Sequence, residues 1–321
     1  MSGFNYLMLA GAGMAVLLFI LFAVVLARRS HDGRGFEAPD PRPAPSAAHM
    51  AAPAAAPAPP PPLPPYAPWR LVTREIANPD SSGGPLYRLK LEPEDALPRW
   101  RAGAVAHVYC GPPADLLDSE SPTAPAGDYM IGSLPEEGCV EIVVRLCAQQ
   151  QSAEQARRSR WLCQEIETGQ QVAMALRDNP DFLPPPEDVP LVLIGNATGL
   201  AGLQAQIKAR APGTRNWLIF GDRNSAGDKA LAAEITHWVS TGHLERCDLV
   251  FPGEGREQRH VTDQIEDSRT PLLDWVLAGG AIYVCGSTLM GNDVHAALAN
   301  LLGIDVVDVM AEQGLYRRSV Y

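Results

Sequence analysis

The stretch Val189–Gly202, VPLVLIGNATGLAG, decides the fold. Its first six residues are almost wholly apolar and too few for a helix, which suits a strand covered on both faces. A glycine-rich turn follows, running into a helical stretch at Leu200–Arg210. Downstream the pattern repeats as strand Asn216–Phe220, helix Ala226–Val239 and strand Cys247–Phe251. A helix around Asp263–Trp275, strand Ala281–Val284 and helix Asn292–Leu302 complete it. Short apolar strands separated by helices predict a doubly wound α/β domain on a parallel sheet. Ligands of such sheets sit beyond the carboxyl ends of the strands. The turns after Ile194, Phe220, Phe251 and Val284 are therefore the places to look for chemistry.

Upstream the rhythm is different. Between Trp69 and Pro186, Leu86–Leu91 (LYRLKL), Val105–Tyr109 (VAHVY) and Val140–Leu146 (VEIVVRL) read as strands between Gly/Pro/Asp clusters. That pattern predicts an antiparallel β-barrel or sandwich. One helix, Glu154–Glu167, interrupts it, with Trp161, Leu162 and Ile166 on its inner face. FLPPP at Phe182–Pro186 separates the two halves.

The N-terminal part is neither. Tyr6 to Ala27 reads YLMLAGAGMAVLLFILFAVVLA, without a charge. About 22 such residues span a hydrocarbon core of roughly 30 Å as a helix. No Lys or Arg precedes the run, and it is too long for a signal-peptide core, so a retained anchor is expected. Gly11 and Gly13 do not form GxxxG, so a lipid-facing span is expected rather than a helix-pairing one. Arg28, Arg29 and Arg34 follow at once, placing the C-terminal part in the cytoplasm by the positive-inside rule. From about Phe36 to Pro68, Pro and Ala dominate, which predicts a semi-rigid polyproline-type tether. The expected organisation is an anchor at 1–28, a linker at 29–68, a β-barrel domain at 69–187 and an α/β domain at 188–321. The expected location is the inner (cytoplasmic) membrane, crossed once.

The net charge of -11 argues against a nucleic-acid partner, because binding phosphate backbones needs a basic excess. The six cysteines form no CxxC pair and no zinc-ligand spacing, so most are expected to be small buried apolar residues in a reducing compartment.

Two turns carry the functional reading. Gly195 to Gly202 follows the first strand of the α/β half, and Cys285-Gly286-Ser287 follows the last. A glycine-rich turn before a helix suits a diphosphate, although it also suits tight packing. Together, in this order, the pieces IGNATGLAGLQA (Ile194–Ala205), NWLIFGDRN (Asn216–Asn224), AIYVCGSTLMGNDV (Ala281–Val294) and YRRSVY (Tyr316–Tyr321) carry a resemblance. The chain resembles the ferredoxin–NADP reductase superfamily, in its diflavin-reductase branch, over Trp69–Tyr321. The resemblance implies an FAD-binding barrel and a pyridine-nucleotide-binding α/β domain using NAD(P)H. It places Tyr129, in DYMIGS at Asp128–Ser133, on one flavin face and Tyr321 on the other. Ser159 would hold the FAD diphosphate, and Thr198 with Gly199 the nucleotide diphosphate. Ile131, Ser133, Gly195, Arg223 and Gly286 complete the implied cofactor contacts. Cys285 and Tyr321 would stand at the hydride-transfer centre.

The chain departs from the family's pattern in several places. The family has an Arg two residues before the flavin-stacking aromatic and a Ser just after it; here these are Gly127 and Met130. Arg157, Arg158 and Arg160 either restore the lost charge or form a solvated basic face. The phosphate-clamping positions of NADP-specific relatives read Pro252-Gly253 and Gln258-Arg259-His260, with Arg256 nearby, which predicts weak discrimination between NADH and NADPH. Ser319 and Ser287 stand where relatives carry acids. No flavodoxin-like domain is expected before the barrel, where the tether stands, so electrons are expected to leave to a separate acceptor: a flavodoxin-like, haem or other membrane redox protein. The competing expectation is a degenerate reductase-like subunit acting in assembly or regulation. A transporter is disfavoured by a single span without intramembrane charge.

Overall fold

The computed structural model describes residues 65–78, 84–114, 124–147, 152–222, 229–251 and 259–321. The run at 6–27 and the tether as far as residue 64 lie outside them. Among the described residues no single helix is long and apolar enough to cross a membrane.

Strands β1 (Ala67–Ile76), β2 (Leu86–Pro93), β3 (Val105–Tyr109), β4 (Ala126–Met130), β5 (Val140–Arg145) and β6 (Gln171–Arg177) form an antiparallel sheet in the order β4-β3-β6-β1-β2-β5. The two outer strands meet through an Ile131–Ile142 bridge and a 2.8 Å bond from the Gly132 N–H to the Glu141 carbonyl. The sheet thus closes on itself, and the closure satisfies edge groups that would otherwise face water. Strand alternation sorts the side chains. Val140, Ile142 and Val144 enter the barrel core with Leu89, Leu91 and Trp69, while Val143 points out of it towards the parallel sheet.

Strand β1 begins at Ala67, inside the segment read as linker. Pro68 is tolerated there because β2 pairs with β1 only from Trp69 onward. Helix α1 (Ala153–Arg160), capped by the Ser152 side chain, is shorter than the helix read from sequence. A wider turn, Trp161–Glu165, continues it, and the Ile166 N–H donates to the Trp161 carbonyl five residues back at 2.9 Å. Leu162 and Ile166 are buried as expected, and Trp161 is half-buried.

The second sheet is parallel throughout. Strands β7 (Leu191–Asn196), β8 (Asn216–Gly221), β9 (Arg246–Val250), β10 (Ala281–Gly286) and β11 (Tyr316–Val320) lie in the order β11-β10-β7-β8-β9. Helices α2 (Leu200–Lys208) and α3 (Lys229–Ser240) belong to one face. Helices α4 (Val261–Asp267), α5 (Arg269–Leu277), α6 (Thr288–Leu302) and α7 (Ile304–Glu312) belong to the other. Leu191, Leu193, Tyr283 and Cys285 join the first core, and Val192, Ile194, Ile282 and Val284 the second. Both faces are covered, which is why these strands read as apolar runs. The helix read around Asp263–Trp275 is two helices meeting at Ser268. Pro271 has no N–H for the Asp267 carbonyl, so one continuous helix would lack a bond there.

The first of these cores also contains Val105, Met130 and Val143 of the barrel, so the two sheets share apolar packing. Polar bonds reinforce the join. Gln204 on α2 donates to the Glu141 carboxylate at 2.8 Å and to the Gly132 carbonyl at 2.9 Å. Arg88 on β2 makes a two-pronged pair with Glu234 on α3 at 2.8 and 2.7 Å.

Candidate functional site

The chain leaves β7 towards β8 and β9 on one side and returns to β10 and β11 on the other. The reversal lies between β7 and β10, and such a reversal opens a crevice at the strands' carboxyl ends. The Asn196 side chain spans this crevice. Its Oδ1 accepts the Ser287 N–H at 3.1 Å, and Ser287 caps α6.

A cleft of about 490 Å³ opens between this point and the barrel. That volume lies in the range of small-molecule sites. The barrel contributes Gly127, Asp128, Tyr129 and Met130 from β4 and Val143, Val144 and Arg145 from β5. Cys147, Gln155, Arg158 and Ser159 follow, and the α/β half adds Ala197, Thr198, Ser287 and Tyr321. Tyr129, Ser159, Thr198 and Tyr321, read from sequence as site residues, therefore line one space.

Tyr321 is half-exposed as a residue but clamped. Its N–H donates to the Gly286 carbonyl, and its carbonyl accepts from the Thr288 N–H, both at 3.1 Å. Its hydroxyl turns inward beside Cys285 and Thr198, where burial raises the phenol's pKa. Cys285 is fully buried behind it, and burial pushes its thiol up to about 12, so the sulfur keeps its proton at neutral pH. The Tyr129 hydroxyl is buried beside the Cys110 thiol, and burial holds it well above the ordinary phenol range. Desolvation alone would raise Asp128, but hydrogen bonds from His107 and Arg177 outweigh it and hold the carboxyl below the usual range.

Other site residues read from sequence lie off the cleft or are engaged inside the chain. Ile131 sits in the barrel core, and the Ser133 hydroxyl bridges the Cys139 carbonyl and the Glu141 N–H at 2.7 and 2.8 Å. The Ser159 hydroxyl accepts from the Cys147 N–H at 3.0 Å and donates to the Ala156 carbonyl at 3.2 Å. Gly195 and Gly199 are packing glycines here: a Cβ would stand 2.5 and 2.0 Å from the Cys285 carbonyl oxygen. Gly286 adopts a φ of 147° against the Asn196 side chain. Arg223, Gly253, Arg256 and Gln258 lie outside the described residues. Arg259 and His260 are exposed, and Arg259 pairs with Asp267.

The departures at Gly127 and Met130 are each met by a neighbour. Arg158 lies across Gly127, with its Cδ and Nε 2.9 Å from where a Cβ would stand. Met130 is buried, and its Sδ accepts a 3.3 Å hydrogen bond from the Ser319 hydroxyl. Two positions that depart from the reductase pattern thus touch each other. Sequence reading missed Arg145, Cys147 and Gln155 on the cleft wall. The signal for Arg145 was its place at the end of β5; nothing local marked the other two.

A relative from Mannheimia succiniciproducens, a sulfite reductase [NADPH] flavoprotein alpha-component, is 30% identical over 228 residues, covering 65% of this chain and 37% of its own length. The protein of that name from Thiocapsa roseopersicina is 35% identical over 147 residues, 44% of this chain and 28% of the relative. The one from Neisseria meningitidis serogroup C (strain 053442) is 31% identical over 178 residues, 51% and 30%. These relatives bear out the resemblance to the ferredoxin–NADP reductase superfamily, in its diflavin-reductase branch. No family model matches it. It spans about a third of the length of these curated relatives. The region matched is the C-terminal, reductase-like part of those relatives.

Proposed function

We propose that this chain is a membrane-anchored flavin-dependent oxidoreductase that takes electrons from NAD(P)H and passes them to a separate protein or membrane acceptor. One observation carries the reading: Tyr129 from the barrel and Tyr321 beyond β11 line the same cleft at the switch point of the parallel sheet. Two aromatic side chains at such a cleft suit a planar conjugated ring. The names of the relatives, NADPH-linked flavoproteins, support the same reading.

The residues present fit FAD: the cleft combines apolar and aromatic lining with the Arg158 guanidinium and the Thr198 turn. Bound there, the flavin would supply the electron chemistry. The chain's part is to hold and orient it. Tyr129 and Tyr321 would position the ring, and the Cys285 thiol would stay protonated behind Tyr321. Asp128, the acid on the cleft wall, is tied to His107 and Arg177, so proton movement near the ring would depend on hydroxyls and the thiol. The uncharged run 6–27 would hold the module at the inner membrane with residues 69–321 in the cytoplasm, near a membrane-associated acceptor.

The test is the visible spectrum of the purified full-length protein, before and after addition of NADPH under anaerobic conditions. Flavin absorbance that bleaches with NADPH supports the reading. A folded protein that neither carries nor takes up flavin would favour an assembly or regulatory subunit. That second reading draws on the Ser159 hydroxyl and the turn glycines, all engaged within the chain.

A further inference from the structure

We infer that Arg158 is the cation that holds the diphosphate bridge of a bound flavin dinucleotide, acting from α1 across the surface of β4; the inference deepens the flavin reading and rests on it. Among the described residues, three charged side chains line the cleft: Asp128, Arg145 and Arg158. Asp128 is paired with Arg177 and hydrogen-bonded to His107. Arg145 pairs with Asp222, whose side chain is only 8% exposed, and donates to the Gly84 carbonyl at 2.8 Å, so its charge is held away from the opening. Arg158 differs. Its carboxylate partner, Glu154, is 61% exposed and lies one helical turn away on the same surface, at 2.7 Å. Such a solvated pair contributes little to stability, so an incoming anion can replace the carboxylate.

The strand beneath is shaped for this side chain. Any residue larger than Gly at 127 would put its Cβ 2.9 Å from the Arg158 Cδ and Nε and 3.3 Å from its Cζ. The Arg158 Nη1 also donates to the Ala126 carbonyl at 2.9 Å, which fixes the guanidinium over the strand. The remaining N–H groups of its planar fork suit the paired oxygens of a diphosphate. The helix-borne Arg thus occupies the space that a strand-borne side chain at 127 would enter, so Arg158 and Gly127 form one exchange. Of its neighbours on α1, Arg157 is exposed and does not line the cleft.

The experiment is a pair of titrations of the full-length protein in detergent at low salt, one with FAD by fluorescence quenching and one with inorganic pyrophosphate by calorimetry. Arg158→Ala is expected to weaken both by about ten- to a hundredfold. Arg158→Lys should weaken them less, and Arg157→Ala should leave them unchanged. Gly127→Arg combined with Arg158→Ala should recover most of the loss, which a merely structural role for Arg158 would not allow. Circular dichroism of each variant establishes that it is folded. Unchanged binding in folded Arg158→Ala, or an equal loss in Arg157→Ala, would overturn the inference while leaving the flavin reading in place. Pyrophosphate binding that depends on Arg158, without any FAD binding, would remove the flavin reading and overturn the inference with it, leaving Arg158 as the holder of some other anion. Binding of neither ligand would remove both.

Discussion

Gly127 lines the cleft from β4, whereas Gly199 is buried in the turn after β7, and their missing Cβ atoms serve different ends. At Gly199 the space is filled by backbone: the Cys285 carbonyl oxygen lies 2.0 Å from where a Cβ would stand. At Gly127 it is filled by the end of a flexible side chain, Arg158. The first glycine lets two parallel strands and their turns close on each other, and neither side can yield. The second clears a path for a charged group that can move. A glycine-rich turn is therefore no proof of a phosphate cradle, and a glycine where relatives carry Arg is no proof of lost charge.

Substitutions turn that contrast into numbers. Gly199→Ala should destabilise the fold by about 3 kcal/mol or more, because a backbone carbonyl must shift; chemical denaturation measures it, and a neutral result would break the comparison. Gly202→Ala, whose Cβ would meet the Cys285 Sγ at 2.9 Å and the Met130 Cε at 3.0 Å, should lose about 1–3 kcal/mol in the same assay. Alkaline pH probes thiols buried in the barrel and beside the parallel sheet. Burial pushes the thiols of Cys110, Cys163, Cys247 and Cys285 to about 12, from an ordinary value of 9.0. In the unfolded chain these groups release protons first, so the folded state binds more protons in that window and stability falls as pH rises through it. Thermal melts should be flat with respect to these thiols below about pH 9 and decline above it; melts unchanged at higher pH would place the thiols in contact with water. Gly127→Ala should have the smallest effect, within about 1 kcal/mol, because Arg158 can swing aside and the chain loses less entropy. A loss as large as that of Gly199→Ala would make Arg158 a rigid structural element.

The parallel sheet was legible because both of its faces are buried. VPLVLI and AIYV have no polar alternate, and their boundaries fall within two residues of β7 and β10. Tyr129, Ser159, Thr198 and Tyr321 were found through resemblance and do share a cleft. The split between α4 and α5 was also written in the sequence, in Pro271, but apolar periodicity hid it. Less was legible where one residue answers another across the fold. Nothing near Gly127 announces that Arg158, on another element, lies over it. Nothing near Met130 announces Ser319, which is 189 residues away. Ser159 was read by its type, and the partners that engage its hydroxyl, the Cys147 N–H and the Ala156 carbonyl, emerge only from packing.

If the cleft between the barrel and the switch point takes up a flavin dinucleotide, as proposed, FAD titration of the purified full-length protein followed by fluorescence quenching will register it. The expected result is saturable micromolar binding that falls sharply in Tyr129→Ala, whose side chain lines the cleft. A well-folded protein that leaves FAD fluorescence unchanged, or binds it equally well without Tyr129, would contradict it.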